Sequence, residues 1–295
     1  MDSQQNNTSD AAAAAQISRQ AEMFVNRITK NTKHLHKWAK IAGVECFRVY
    51  DRDIPELAFA LDLYADRAHL QAYSLPVMAA QAQRRWLQAM HESAARALKL
   101  PLQNVTLKQR QGQRPDEQYR KLASSAADFV VQEGGHRFIV NLTDHLDSGL
   151  FLDHRDTRAL VGTLAPGKRV LNLFCYTGSF SVYAARNQAS TTTSVDLSKT
   201  YLDWARRNFA LNAMDLGRNR LVQADVVRFL AGERASQDRY DLIVLDPPSF
   251  SNSKRMQGVL DVHRDHVALI RDCLFLLVPG GTLLFSTNLR SFKLA

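Results

Sequence analysis

The sequence predicts an α/β protein in which a doubly wound, mainly parallel sheet follows a smaller α+β domain. Three observations carry this expectation. From Lys168 onward, continuous apolar runs alternate with amphipathic stretches of helical length, the pattern of strands covered on both faces. Before Leu150 the apolar runs are shorter, alternate with polar residues and are separated by turn residues. The chain of 295 residues is long enough for about two domains.

Residues 1–18 have no apolar periodicity and read as a flexible tail. A helix is expected from about 19 to 41. Met23, Phe24, Ile28, Leu35 and Trp38 fall roughly on one face, and Arg27, Lys30, Lys33, Lys37 and Lys40 lie on others. Those cations fit either a solvated face or a rail that follows phosphates. Gly43 ends the helix. Strands follow at 46–50, 58–64 and 68–73, then a helix at 79–99 closed by Pro101 and a strand at 105–109. Residues 110–121 are polar and basic and read as an exposed loop. Strands 128–133 and 137–142 are joined through Gly134 and Gly135, a hairpin signal. In the second domain, strands at 169–174, 192–196, 220–225, 240–246 and 282–286 are interleaved with helices at 179–186, 199–212 and 261–277. The expected divisions are a tail at 1–18, an N-terminal helix and small domain at 19–142, and a third region at 143–295.

Composition narrows the class of function. With 45% hydrophobic and 23% charged residues the chain is neither disordered, collagen-like nor a membrane bundle. No apolar run approaches the roughly 20 residues of a bilayer span, so no membrane partner is expected. No signal or transit peptide is read at the start, which makes the cytoplasm the expected location. Cys46, Cys175 and Cys273 have no paired spacing and read as reduced thiols, with no metal site. Thirty-eight Lys and Arg against 29 Asp and Glu give a charge of +9, compatible with a polyanionic partner such as RNA.

Ligands of a doubly wound sheet bind beyond the carboxyl ends of its strands. The turn after the first strand, Phe174-Cys175-Tyr176-Thr177-Gly178, lacks the three-glycine cradle of a dinucleotide site, which argues against hydride transfer. Gly178 still allows close approach of a ligand to the backbone. The next three strands end in Asp196, Asp225 and Asp246, the last followed by Pro247, Pro248, Ser249 and Phe250. A single acid at a strand end is commonly a helix cap. Three in succession, with Asp-Pro-Pro, resemble the class I S-adenosylmethionine-dependent methyltransferases with their Rossmann-like sheet.

A narrower resemblance rests on Tyr119, Lys121, residues 143–155, residues 172–179, residues 246–256, residues 261–266 and residues 285–288. These are similar to the methyltransferase-K half of the bifunctional 23S ribosomal RNA guanine methyltransferases, the RlmKL family. The resemblance runs from about Ala21 to the end of the chain. It implies methylation of guanine N7 in large-subunit ribosomal RNA, with S-adenosylmethionine as cofactor. Phe151, Asp153, Arg155, Asn172, Phe174, Tyr176, Thr177 and Gly178 are implied on the methionine side, Asp196 on the ribose and Asp225 near adenine. Asp246 would meet the guanine edge, with Pro247 beside it, Phe250 would stack on the flipped base, and Asn288 would touch the base or support it. Lys254 and Arg255 would hold phosphates. Bifunctional members also carry an RNA-binding THUMP domain and an N2-guanine methyltransferase half, so a separate N2/THUMP partner is implied. They continue past the equivalent of Asn288, which implies that the C-terminal antiparallel strands are missing here.

Two other readings stay open at this stage. A C5-cytosine RNA methyltransferase needs a cysteine thiolate near the base. Neither the segment 246–250 nor Ser286-Thr287-Asn288 contains one. The other is a catalytically silent RNA-binding module.

Overall fold

The computed structural model describes residues 2–109, 127–145, 147–236, 238–251 and 259–294. It divides into two compact units, one of residues 1–113 with 131–134, the other of residues 114–130 with 135–295. The division falls in the hairpin formed by β5 (Phe129–Glu133) and β6 (His136–Val140), a little before the boundary expected at 142.

In the first unit, α1 (Asp2–Ala42) precedes β1 (Cys46–Asp51), β2 (Phe59–Tyr64), β3 (Arg67–Ala72), α2 (Ala80–Leu98) and β4 (Val105–Gln109). The sheet order is β1-β2-β3-β4, antiparallel except for β3 with β4, which α2 connects as a crossover. Phe24 and Ile28 of α1, Tyr50, Phe59 and Leu61 of the strands, and Trp86 and Met90 of α2 share one core. Phe59 stacks on Trp86 at 5.2 Å between ring centroids.

Helix α1 starts at Asp2, where the sequence pattern placed a tail up to residue 18. Two physical causes account for the extra length. Ala11 to Ala15 have the highest intrinsic helix propensity of any residue type. Farther on, Ile17 and Ala21 reach the core and Gln20 Oε1 accepts a hydrogen bond from the Trp86 indole at 2.8 Å, so tertiary contact begins before Arg19.

The second unit continues with a 3₁₀ turn at Leu152–His154, α3 (Arg155–Leu164), β7 (Arg169–Leu173), α4 (Ser179–Arg186), β8 (Thr191–Asp196), α5 (Lys199–Leu211), β9 (Asn219–Gln223), α6 (Val226–Ala235) and β10 (Tyr240–Leu245). A short pair, β11 (Phe250–Ser251) with β12 (Leu260–Asp261), leads to α7 (Val262–Leu276) and β13 (Leu277–Phe285). All pairings in the main sheet are parallel and the order is β13-β10-β7-β8-β9. The order therefore reverses between β7 and β10, and the crevice at their carboxyl ends is where such sheets take ligands. Two helices escaped the sequence reading. α3 is only ten residues long, and α6 is marked mainly by its cap, Asp225, whose carboxylate accepts from Val227 N at 2.9 Å and Arg228 N at 3.2 Å.

Trp204 of α5 fixes the segment that enters this sheet. Its indole donates to the Ile139 carbonyl at 2.9 Å, and the ring lies over Gly149, where an added Cβ would come within 2.2 Å of Trp204 Cζ2. Gly149 also has φ +96°. Gly149→Ala is expected to lower stability by about 2–4 kcal/mol through overlap and backbone strain. An unchanged urea midpoint would show that the contact relaxes without cost.

Candidate active site

The turn leaving β7 is held in an uncommon backbone conformation. Phe174 and Tyr176 have φ of +55° and +51°, although neither is glycine. Such residues persist when their surroundings over-determine them. Cys175 N donates to the Val195 carbonyl, Tyr176 N to Asp196 Oδ2 at 2.9 Å, the Thr177 hydroxyl to the Gly149 carbonyl at 2.7 Å, and Asn208 Nδ2 to the Thr177 carbonyl at 3.0 Å.

Asp196 ends β8 and is almost wholly buried. Its carboxylate accepts from Tyr176 N at one oxygen and from Ser198 N at the other, the second at 2.8 Å. Burial nevertheless dominates and pushes the carboxyl up to about 6. One cavity is walled by Asp196, Leu197 and Tyr201, by Phe151, Phe174 and Tyr176, by Asp225 and Val226, and by Asp246, Pro247, Pro248 and Asn288.

Asp246 follows β10, one strand from β8 across β7. Ser286 Oγ donates to its Oδ1 at 2.6 Å, and His154 Nε2 lies 3.3 Å from its Oδ2. Burial raises this carboxyl above the usual range and Asp153 adds to the shift, while His154 and Ser286 oppose it. The His154 ring packs edge-to-face with Phe180, with centroids 5.4 Å apart. Its segment is anchored by Arg158, fully buried, whose Nη1 donates to the Phe151 carbonyl at 2.8 Å.

The structure thus brings Phe151, Asp153, Phe174, Tyr176, Asp196, Asp225, Asp246, Pro247 and Asn288 to one cavity. Other expected residues lie elsewhere. Asn172 points toward α4 and donates to Ser181 Oγ at 3.0 Å, behind the wall. Thr177 is buried in the loop ties described above. Gly178 has φ +76° and heads α4, and a Cβ there would meet Phe209 Cε1 at 2.8 Å and Ala205 Cβ at 3.1 Å. Its glycine therefore answers to packing against α5, where the sequence reading assigned it to ligand approach. Arg155 starts α3 and Phe250 lies half-exposed in β11, both off the cavity wall. Lys254 and Arg255, like Tyr119 and Lys121, fall outside the described residues. His154, Arg158, Tyr201 and Ser286 had no role in the sequence reading. His154 and Arg158 are four residues apart, a spacing that places both on one side of a helical segment.

The donor set suits a nucleoside carrying a positive charge. Asp196 retains acceptor capacity for hydroxyl donors, Asp225 faces the same space, and aromatic rings of Phe151 and Tyr176, 5.1 Å apart, flank it. These residues fit S-adenosylmethionine. Thiol chemistry is poorly served: burial raises the Cys175 thiol far above its ordinary range, and Cys273, on the buried face of α7, is pushed up to about 12. Among the described residues no group of three His, Cys, Asp or Glu is arranged to hold a metal, and no helix is long and apolar enough to cross a membrane.

Residues 69–292 match the family model described as S-adenosylmethionine-dependent methyltransferase. The chain is 51% identical over 272 residues to ribosomal RNA large subunit methyltransferase K of Neisseria meningitidis serogroup B, covering 92% of this chain and 77% of that one. It is 52% identical over 286 residues to ribosomal RNA large subunit methyltransferase K/L of Pseudomonas putida, covering 96% of this chain and 38% of that one. Among solved structures it resembles a methyltransferase crystallised in complex with SAH, at TM-score 0.74 and 28% identity over 91% of this chain and 68% of that one. An S-adenosylmethionine-dependent methyltransferase from Streptococcus mutans aligns at TM-score 0.73 and 27% identity, covering 92% and 69%.

The elevated Asp196 carboxyl predicts a pH-dependent cofactor affinity. Only the ionised form accepts two hydroxyl hydrogen bonds, so affinity should be nearly full above about pH 7, halve near pH 6 and fall about tenfold between pH 7 and pH 5. Titration calorimetry across that range tests this, and Asp196→Asn should bind weakly with a flat profile. A wild-type affinity constant down to pH 5 would contradict the assignment.

Proposed function

Because the chain belongs to the S-adenosylmethionine-dependent methyltransferase family, beside the ribosomal RNA large subunit methyltransferases K, we propose that it methylates 23S ribosomal RNA at guanine N7. One observation carries most of the reading. A buried carboxylate, Asp246, stands on the same cavity as Asp196, held by a serine and a histidine, with two prolines stiffening the chain beyond it.

Bound S-adenosylmethionine supplies an electrophilic methyl group on a sulfonium. The chain's part is to bind, align and exclude water. Asp196 accepts the ribose hydroxyls, Asp225 lies by the adenine, and Phe151 and Tyr176 cover the charged end. Guanine N7 has an exposed lone pair and no proton to lose, so the chain needs neither a general base nor a covalent nucleophile. Alignment of the acceptor with the methyl group provides most of the rate enhancement. As N7 is alkylated the purine becomes positive, and the Asp246 carboxylate offsets that charge in a site of low dielectric. Ser286 and His154 fix the carboxylate's orientation and help keep it ionised despite burial. Phe250, exposed at the rim of the Asp-Pro-Pro segment, is the proposed stacking surface for the flipped base, with Asn288 beside it and Lys254 and Arg255 on phosphates.

The cytosine reading is disfavoured because burial raises both thiols of this unit above their ordinary range, away from the thiolate that chemistry needs. The identity to enzymes that carry the K activity, together with a cavity walled by three strand-end acids, supports an active enzyme over a silent module. Because the chain spans only 38% of the K/L protein's length, the N2-guanine activity of a K/L protein is not assigned to it; a separate N2/THUMP half remains the proposed partner. The cytoplasm is the proposed location.

Asp246→Ala should lower methyl transfer at saturating substrate by about 10²–10³ while leaving cofactor affinity within a few-fold. Tritiated-methyl transfer to in vitro transcribed 23S ribosomal RNA, followed by nucleoside mass spectrometry, provides the readout. N7-methylguanosine is expected. Label on C5 of cytosine would overturn the N7 chemistry, and an equal loss of cofactor binding in Asp246→Ala would overturn the role of that carboxylate.

A further inference from the structure

The cations of α1 take no part in the chemistry of the second unit's cavity. Between Arg19 and Ala42 the helix carries Arg19, Arg27, Lys30, Lys33, Lys37 and Lys40 against the single acid Glu22. All six cations are exposed. At 100° per residue they fall within the half of the helix opposite Phe24, Ile28 and Ala39, which are buried in the core of their own unit. They therefore form one solvent-facing stripe about 32 Å long, from 21 steps of 1.5 Å.

An ordinary solvated helix face mixes signs and pairs them. Helix α5 does so, with Lys199 and Arg206 both on Asp203 at 2.7 and 2.9 Å. On α1, by contrast, none of the six cations is ion-paired among the described residues. No ion pair among those residues offsets their charge, and from Arg27 onward successive cations are three or four residues apart, about one helical turn. Such a stripe offers a row of cations to the phosphates along a nucleic-acid strand.

We infer that this stripe of the first unit is a docking surface for the sugar–phosphate backbone of the ribosomal RNA substrate, whose target base is taken by the cavity of the second. The inference rests on the proposed RNA methyltransferase reading. An anionic membrane is the other polyanion a basic helix could meet. It fits poorly, because an interfacial helix must turn its apolar face into lipid, and Phe24, Ile28 and Ala39 at the centre of that face are already buried in protein. Backbone contacts of this kind set register and affinity and carry no base specificity.

The test replaces Lys30, Lys33, Lys37 and Lys40 together by Gln, a good helix former, in the full chain. Binding to in vitro transcribed 23S ribosomal RNA is measured from 50 to 300 mM salt, with methyl transfer to the same RNA and binding to phosphatidylserine vesicles alongside. The expected result is affinity at least about tenfold weaker, a log–log salt slope shallower by about 3, a raised KM for RNA and an unchanged kcat. Equal affinity and slope in variant and wild type would overturn the docking surface while leaving the enzyme reading intact. Lost vesicle binding with RNA binding unchanged would overturn it in favour of a membrane. Failure of the wild-type chain to bind the RNA at any salt would remove the function reading itself, and this inference with it.

Discussion

The second unit is organised around a cost: three carboxylates are drawn into one partly enclosed cavity by the parallel sheet that carries them. Parallel strands send all their carboxyl ends to one edge, so Asp196, Asp225 and Asp246 converge without any loop having to gather them. Each burial must be met by hydrogen-bond donors or by protonation. The three acids are met differently. Asp225 has the amide groups of a helix start, Asp196 has backbone amides on both oxygens yet is still raised toward neutrality, and Asp246 has a hydroxyl and an imidazole. On the proposed reading, those differences separate a cap, a binding group and a group suited to a developing positive charge.

The same constraint explains features that otherwise look incidental. The left-handed turn at Phe174 to Gly178 delivers the Tyr176 amide to Asp196, so its strain is part of the site's preorganisation. Arg158, buried under the 3₁₀ turn, holds the Phe151 carbonyl and thereby sets the position from which His154 reaches Asp246. Ser286 arrives from the end of β13 on the far side of β10. The Asp246 carboxylate is therefore fixed from two elements that are far apart in sequence, and its geometry depends on the sheet being assembled around it.

Much of this was legible in the sequence because it is written in local patterns. Buried strands such as Tyr240 to Leu245 are continuous apolar runs, and an acid after such a run marks a carboxyl end. What depends on tertiary contact was not legible. The start of α1 is decided by Gln20 meeting Trp86, sixty-six positions away. Gly178 satisfied a familiar expectation of close ligand approach, yet its neighbour is the Phe209 ring, which no spacing rule could place. Asn172 and Thr177 lie in the right segment and turn away from the cavity, Asn172 toward Ser181 of α4 and Thr177 into its ties with Gly149 and Asn208. His154 and Ser286 stood within motifs already singled out, but their pairing with Asp246 joins residues 92 and 40 positions apart. Spatial proximity of that kind leaves no trace in a single sequence.

On the proposed reading the site divides its labour: Asp196 would hold the nucleoside of the cofactor, and Asp246 would be kept for the acceptor base. A crystal structure of the chain with S-adenosylhomocysteine distinguishes the two roles. Both ribose hydroxyls are expected within hydrogen-bond distance of the Asp196 carboxylate, with Asp246 still held by Ser286 and His154 and making no contact with the ribose or adenine. A complex in which Asp246 ligates the ribose, or in which the nucleoside lies away from Asp196, would contradict that division.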